Sequence, residues 1–250
     1  MTSKNDLFTA AALAVLAACT VTVAHEALGH GTACLTLGGH ITILSSSLFR
    51  CSAQSPWIDP AGPLMNLTIG TIALIIGRFA KAPALRLFLL LVTTFSYGWE
   101  GGYAVQAMIK RDGDLYFAGR AFLGGPEMSW RIPGGGAGAL LYLVNIRLAS
   151  DGLRRLWPQA ARARRIARVA GFSAMAAAGL AAMAYTGSGW RDLHDAIWEI
   201  AAGALPLLAI PRGEERLGEG VTLARNPALI VTAIVTFGVF TATLGRGLGA

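Results

Sequence analysis

Charge is what this sequence has least of: 14% of its 250 residues are Asp, Glu, Lys or Arg, while 54% are hydrophobic. With a mean hydropathy of +0.53, that shortage excludes an ordinary soluble domain and points to a bilayer. Acidic residues are scarcer than basic ones, 14 against 21, for a formal net charge of +7. The basic residues cluster beside long apolar runs, where they meet lipid headgroups, so nucleic acid is not an expected partner. Cysteine is sparse as well. Cys19, Cys34 and Cys51 form no CxxC pair and two of them lie in an apolar stretch, so small core residues are expected rather than a disulfide framework. No internal repeat and no stretch resembling a soluble sensor domain is present. The apolar stretch after Lys4 is well beyond the length of a signal-peptide core, and it is expected to be retained.

A membrane-crossing helix needs about 20 mostly apolar residues. Six stretches qualify: 7–37, 58–79, 82–109, 167–185, 193–210 and 227–244. A seventh, 132–149, opens with Pro133 and a run of three glycines, and reads as an interfacial or re-entrant piece. Seven spans with the N-terminus in the cytosol and six with it outside satisfy the positive-inside rule equally well, so orientation stays open. In either case 40–57 and 110–130 share one face. Residues 39–44, β-branched and bounded by glycine, read as a strand, and 45–55 as a polar loop. The basic run 154–168, with Trp157 and Pro158, lies on the headgroups or is a solvated topology signal. The expected architecture is an all-α polytopic membrane protein of about six transmembrane helices, with a small β-hairpin after the first. A core of 1–131 precedes an accessory helical region of 132–250.

The chemistry is concentrated in His25-Glu26-Ala27-Leu28-Gly29-His30. It reads as an HExxH motif, whose two histidines at i and i+4 share a helical face and hold a zinc ion, with Glu26 beside the site as general base. Burying these groups in an apolar helix is costly, so a functional role is expected. A catalytic zinc takes a third protein ligand and keeps one position open. The candidates are Asp59, Glu100, Asp112 and Asp114. Glu100 has a second reading, as a polar group satisfied inside a kink loosened by Gly98 to Gly102. Asn66 is either a donor to a developing oxyanion or a tie between the second helix and the hairpin. Cys34, four residues after His30, is a soft ligand or a packing residue, His40 a turn histidine and His194 an interfacial one.

Two further elements follow in order: Gly62-Pro63-Leu64-Met65-Asn66 and Arg111-Asp112-Gly113-Asp114. Together the three resemble the site-2 protease family of intramembrane zinc metalloproteases. That family has HExxH in one core helix, Gly-Pro-x-x-Asn opening the next, and an aspartate in a DG-type motif after the third. The resemblance covers about the first 120 residues. It departs at the aspartate, where the familiar form is Leu-Asp-Gly. Asp112 fits the Asp-Gly pattern, whereas Gly113-Asp114 after Gly102-Tyr103 is similar to a variant of small bacterial relatives, which favours Asp114. What the resemblance implies is peptide hydrolysis with Zn2+ within a membrane segment of another protein, in the bacterial inner membrane. It also implies an HExxH helix running from outside inward, a site near the cytosolic face, and six spans. Such a substrate must be locally unwound, and edge pairing to residues 40–44 would hold it. The rival is a non-proteolytic scaffold or assembly subunit that retains the fold. The unmatched second half favours the rival, and the intact His25, Glu26 and His30 count against it. A metal transporter would need polar residues along the later spans, which have almost none.

Overall fold

The computed structural model describes residues 6–186, 190–209 and 220–249, without the side chains of 190–193 and 195–197. Lys4 and residue 210, used in the expectations above, lie outside the described residues.

In lipid a backbone must satisfy its own polar groups, and a helix does so within one segment. Helix α1 (Leu7–Val23) opens on Asp6, whose carboxylate accepts the Thr9 N–H at 2.7 Å. It runs on through a π-helical segment (Ala24–Gly31) into α2 (Thr32–Thr36). The antiparallel hairpin follows: β1 (Ile41–Leu44) and β2 (Phe49–Cys51), with Leu44 opposite Phe49. The expected hairpin is therefore present, and the stretch read as loop supplies its second strand. Then come α3 (Ala61–Phe79), α4 (Pro83–Lys110), the short α5 (Asp114–Leu123), α6 (Met128–Leu156), α7 (Ala160–Met183), α8 (Trp190–Leu208) and α9 (Pro227–Phe240).

Among the described residues, four helical stretches are long and apolar enough to cross a membrane: Leu7–Thr36, Ala61–Phe79, Ala160–Met183 and Pro227–Gly245. The expected spans at 82–109 and 193–210 are helical too, as α4 and α8, without that apolarity throughout. Helix α4 is diluted by Thr93, Thr94, Ser96 and Glu100, all buried. The segment 132–149, read above as an interfacial or re-entrant piece, lies inside α6, a continuous helix of 29 residues.

Helix α4 is the hub, packed against α6, α3, α8 and α1, while α1 also packs on α7 and α9. One core accordingly joins both sides of residue 131, with Ala17, Phe95 and Trp99 packed together with Ala149, Leu153 and Ala170. Helix α4 remains helical through Gly98–Gly102. Those glycines admit neighbours instead: a Cβ at Gly98 would lie 2.9 Å from the Gly203 Cα, and one at Gly101 2.9 Å from the Tyr142 backbone nitrogen.

The two ends of the bundle are distinct. At one, Asp6 N–H donates to Leu223 O and Val221 N–H to Leu156 O, each at 2.9 Å. At the other, Leu44 and Leu248 exchange backbone hydrogen bonds of 2.7 and 2.8 Å, so the chain beyond α9 adds to the outer edge of β1. This second end holds a correction to the cysteine expectation. Cys34 and Cys51, 17 residues apart in sequence, form a disulfide with a Cα–Cα distance of 5.9 Å. The chain reverses at Gly38, at φ 78°, and β2 returns beside the end of α2. Spacing along the chain carries no sign of that return. Cys34 is thus neither a ligand nor simple packing, and Cys19 is a buried free cysteine.

Candidate metal centre

The motif is not HExxH but HExxxH. His25 and His30 stand five residues apart, one more than HExxH allows. On an α-helix that separation turns the second imidazole roughly 140° from the first. The π-helical segment Ala24–Gly31 removes the discrepancy, because its hydrogen bonds close from i to i+5 and bring the fifth residue back over the first. The two rings lie 4.9 Å apart, edge to face. Gly29 lets the wider turn approach α3: a Cβ there would sit 2.5 Å from the Gly62 Cα, and a Cβ on Gly62 would overlap His30 Nε2. The Gly-Pro element therefore provides the floor of the site.

Each imidazole has its Nδ1 committed. His30 Nδ1–H donates to the Ile58 carbonyl at 2.8 Å, and His25 Nδ1–H to Glu100 Oε1 at 3.0 Å. Since a carbonyl or carboxylate only accepts, the ring proton is at Nδ1 and Nε2 presents a lone pair. Trp99 stacks on His25 with centroids 4.6 Å apart, and Phe49 of β2 stacks on His30 at 5.3 Å. Both Nε2 atoms face Asp114, whose Oδ2 lies 3.5 Å from His25 Nε2 and 3.3 Å from His30 Nε2. His25, His30 and Asp114 offer one ligand atom each, all within 4.8 Å of one another. Three lone pairs meeting in a buried space repel one another unless a cation, or a further proton on a ring, lies among them.

The local sequence explains how Asp114 arrives. Helix α4 ends at Arg111 in the left-handed conformation (φ 59°), and Gly113 follows at φ 90°. A side chain on Gly113 would overlap the Tyr103 hydroxyl, which accepts the Asp114 N–H at 3.2 Å. This is a physical reason for pairing Gly102-Tyr103 with Gly113-Asp114. Burial acts to raise the Asp114 pKa, but when the rings carry that further proton their Nε2–H groups hydrogen-bond its carboxylate and hold it well below the ordinary carboxylate range. The other candidates lie elsewhere. Asp112 is exposed, and its carboxylate accepts the Gly113 N–H. Asp59 lines the cavity, and burial with the nearby Asp114 charge pushes its pKa up to about 6. Glu100, 2% exposed, stands behind His25 rather than in the ligand group.

Asn66 also lies behind the site. It is fully buried, and its amide donates to Glu100 Oε1 at 2.8 Å, with His25 Nδ1 3.1 Å away. It thus ties α3 to α4 and to the motif, rather than to the hairpin. Glu26, 4% exposed, lines a cavity of about 570 Å3 with both histidines, Asp114, Leu48, Phe49 and Tyr103. The second strand borders this cavity, and β1, whose edge Leu248 occupies, does not. His40 is exposed in the hairpin and His194 lines the outer part of the cavity. Trp99, Phe49, Tyr103 and the Ile58 carbonyl are contributors that motif reading passed over. Only Tyr103 carried a signal, through its glycine partner.

No protein family, curated protein or solved structure matches the chain.

Proposed function

We propose that the protein is an intramembrane zinc metalloprotease of the site-2 protease type, hydrolysing a peptide bond in a membrane-embedded segment of another protein. The observation that carries this reading is the convergence of His25 Nε2, His30 Nε2 and Asp114 Oδ2 beside Glu26, with both Nδ1 atoms already hydrogen-bonded. Tetrahedral zinc with bonds of ~2.0–2.1 Å separates its ligand atoms by about 3.3 Å; the two histidine–aspartate distances here are 3.3 and 3.5 Å, and all three ligand atoms lie within 4.8 Å. Two imidazoles and a carboxylate are also a zinc donor set.

His25, His30 and Asp114 would hold the ion, which supplies Lewis acidity toward a carbonyl oxygen and lowers the pKa of water. Glu26 takes the proton of the attacking water and passes it to the leaving amine. Glu100 and Asn66 fix the His25 ring, and Trp99 holds its plane. An unwound substrate strand lies along Ser47–Phe49, the part of the hairpin that borders the cavity. In this reading α4, α6 and α8 cross the bilayer beside the four apolar helices, for seven crossings. At ~1.5 Å per residue, the 29 residues of α6 exceed the ~30 Å hydrocarbon core. The buried polar residues of α4 face protein, as intramembrane polar groups must.

Elemental analysis of the detergent-purified protein tests the site. Near-stoichiometric zinc is expected in the wild type and in Asp112→Ala, and its loss in His25→Ala and Asp114→Ala. Cleavage of a transmembrane peptide, abolished in Glu26→Gln with zinc retained, then tests proteolysis. Folded wild type without zinc refutes the enzyme and favours the scaffold.

A further inference from the structure

Orientation follows from two observations that do not depend on each other. The first is the disulfide. Cys34, at the end of α2, and Cys51, in β2, are at the end of the bundle where the cavity, the α4–α5 turn and the Leu44–Leu248 pairing also lie. Disulfides form and persist in oxidising compartments and are rare where thiols are kept reduced. The cavity end of the molecule is then the end away from the cytosol.

The second is charge. At the far end, the α3–α4 turn carries Arg78, Lys81 and Arg86, and the α6–α7 corner carries Arg154, Arg155, Arg162, Arg164, Arg165 and Arg168. The cavity end has fewer basic residues, and two of them, Arg111 and Arg131, flank Glu127 at 3.7 and 3.6 Å. Lys and Arg beside membrane helices stay on the cytoplasmic side, which again puts the cavity outside. The two orientations that composition left equal differ by whether 132–149 crosses. Taken as a crossing, the continuous 29-residue α6 makes the number of crossings odd and breaks the tie.

We infer that the candidate metal centre opens toward the oxidising, extracytoplasmic side of the membrane, opposite to the orientation that the family resemblance implies. A substrate then enters the cavity past β2 from the outer leaflet. It is a protein whose unwinding segment lies near that face, rather than one presented from the cytosol. The substrate statement rests on the proteolytic reading, while the orientation does not.

The test reads topology, so its outcome is separate from any test of activity. The full chain carrying Cys19→Ala is expressed in intact cells with one reporter thiol, Arg120→Cys on α5 or Arg155→Cys at the far end, both exposed positions. A membrane-impermeant maleimide that adds a gel-resolvable mass is then applied. Arg120→Cys is expected to shift in intact cells as fully as in lysed ones, and Arg155→Cys only after lysis. Acid-quenched wild type is expected to keep Cys34 and Cys51 protected from alkylation until reductant is added. The reverse labelling pattern, or alkylation of Cys34 and Cys51 without reductant, overturns the inference. In either case zinc content and proteolysis are judged independently.

Discussion

At the scale of single residues, the site is defined by which groups face the ligand space and which stand behind it. Glu100 has the chemistry of a ligand, but its Oε1 is bonded to His25 Nδ1–H and the Asn66 amide, and the residue stands outside the group in which His25, His30 and Asp114 converge. A carboxylate in that position fixes the tautomer and makes Nε2 a stronger donor, and losing such a partner typically weakens metal binding 10–100-fold. Glu100→Gln is therefore expected to retain zinc at saturation but with about 10–100-fold lower affinity, measured by chelator competition. His25→Ala, by contrast, removes a donor and binds none. If Glu100→Gln released zinc as completely as Asp114→Ala, Glu100 would be a ligand and the roles drawn here would be reversed.

At the scale of elements, the π-helical turn and the Gly29–Gly62 contact form one device. The extra residue between the histidines is tolerated only because the widened turn realigns them, and it fits only because α3 presents glycine. In an ordinary helix Gly→Ala gains up to about 1 kcal/mol. Forcing a methyl into close packing costs about 1–3 kcal/mol, so overlap outweighs propensity. Gly62→Ala is expected to lower the thermal midpoint and abolish zinc binding, because its Cβ would overlap His30 Nε2. Gly77→Ala on the same helix, whose Cβ would lie 3.7 Å from Leu89 Cβ, should leave both unchanged. Thermal unfolding in detergent and elemental analysis of the two variants check this.

At the scale of the whole molecule, the hairpin is secured from two sides, by the disulfide to α2 and by Leu248 on β1. A cross-link closing a loop of this length is worth at most about 3 kcal/mol by chain entropy, less where the unfolded chain stays in a bilayer. Cys34→Ser with Cys51→Ser is expected to lower the thermal midpoint in detergent and to make it insensitive to reductant. Phe49, which stacks on His30, lies two residues from Cys51. The same variant should therefore bind zinc more weakly in chelator competition. An unchanged midpoint would make the disulfide irrelevant to folding.

Hydrophobic run length, read from the sequence, already determined that the chain is built of long apolar helices, and the β-branched, glycine-bounded run at 39–44 that a hairpin follows the first; residue type singled out His25, Glu26 and His30 as the candidate site. Apolarity and residue type act locally, so they are legible along the chain. Which of Asp59, Glu100, Asp112 and Asp114 lies against both histidines is visible only in three dimensions, and follows from the left-handed turn at Arg111 and Gly113 and from the Tyr103 hydroxyl. The same is true of the realigned histidines, the unbroken α6 and the Cys34–Cys51 bond. Each depends on which surfaces meet after the chain has turned back on itself, and glycines that look like kinks in sequence are contact points once a second helix lies against them.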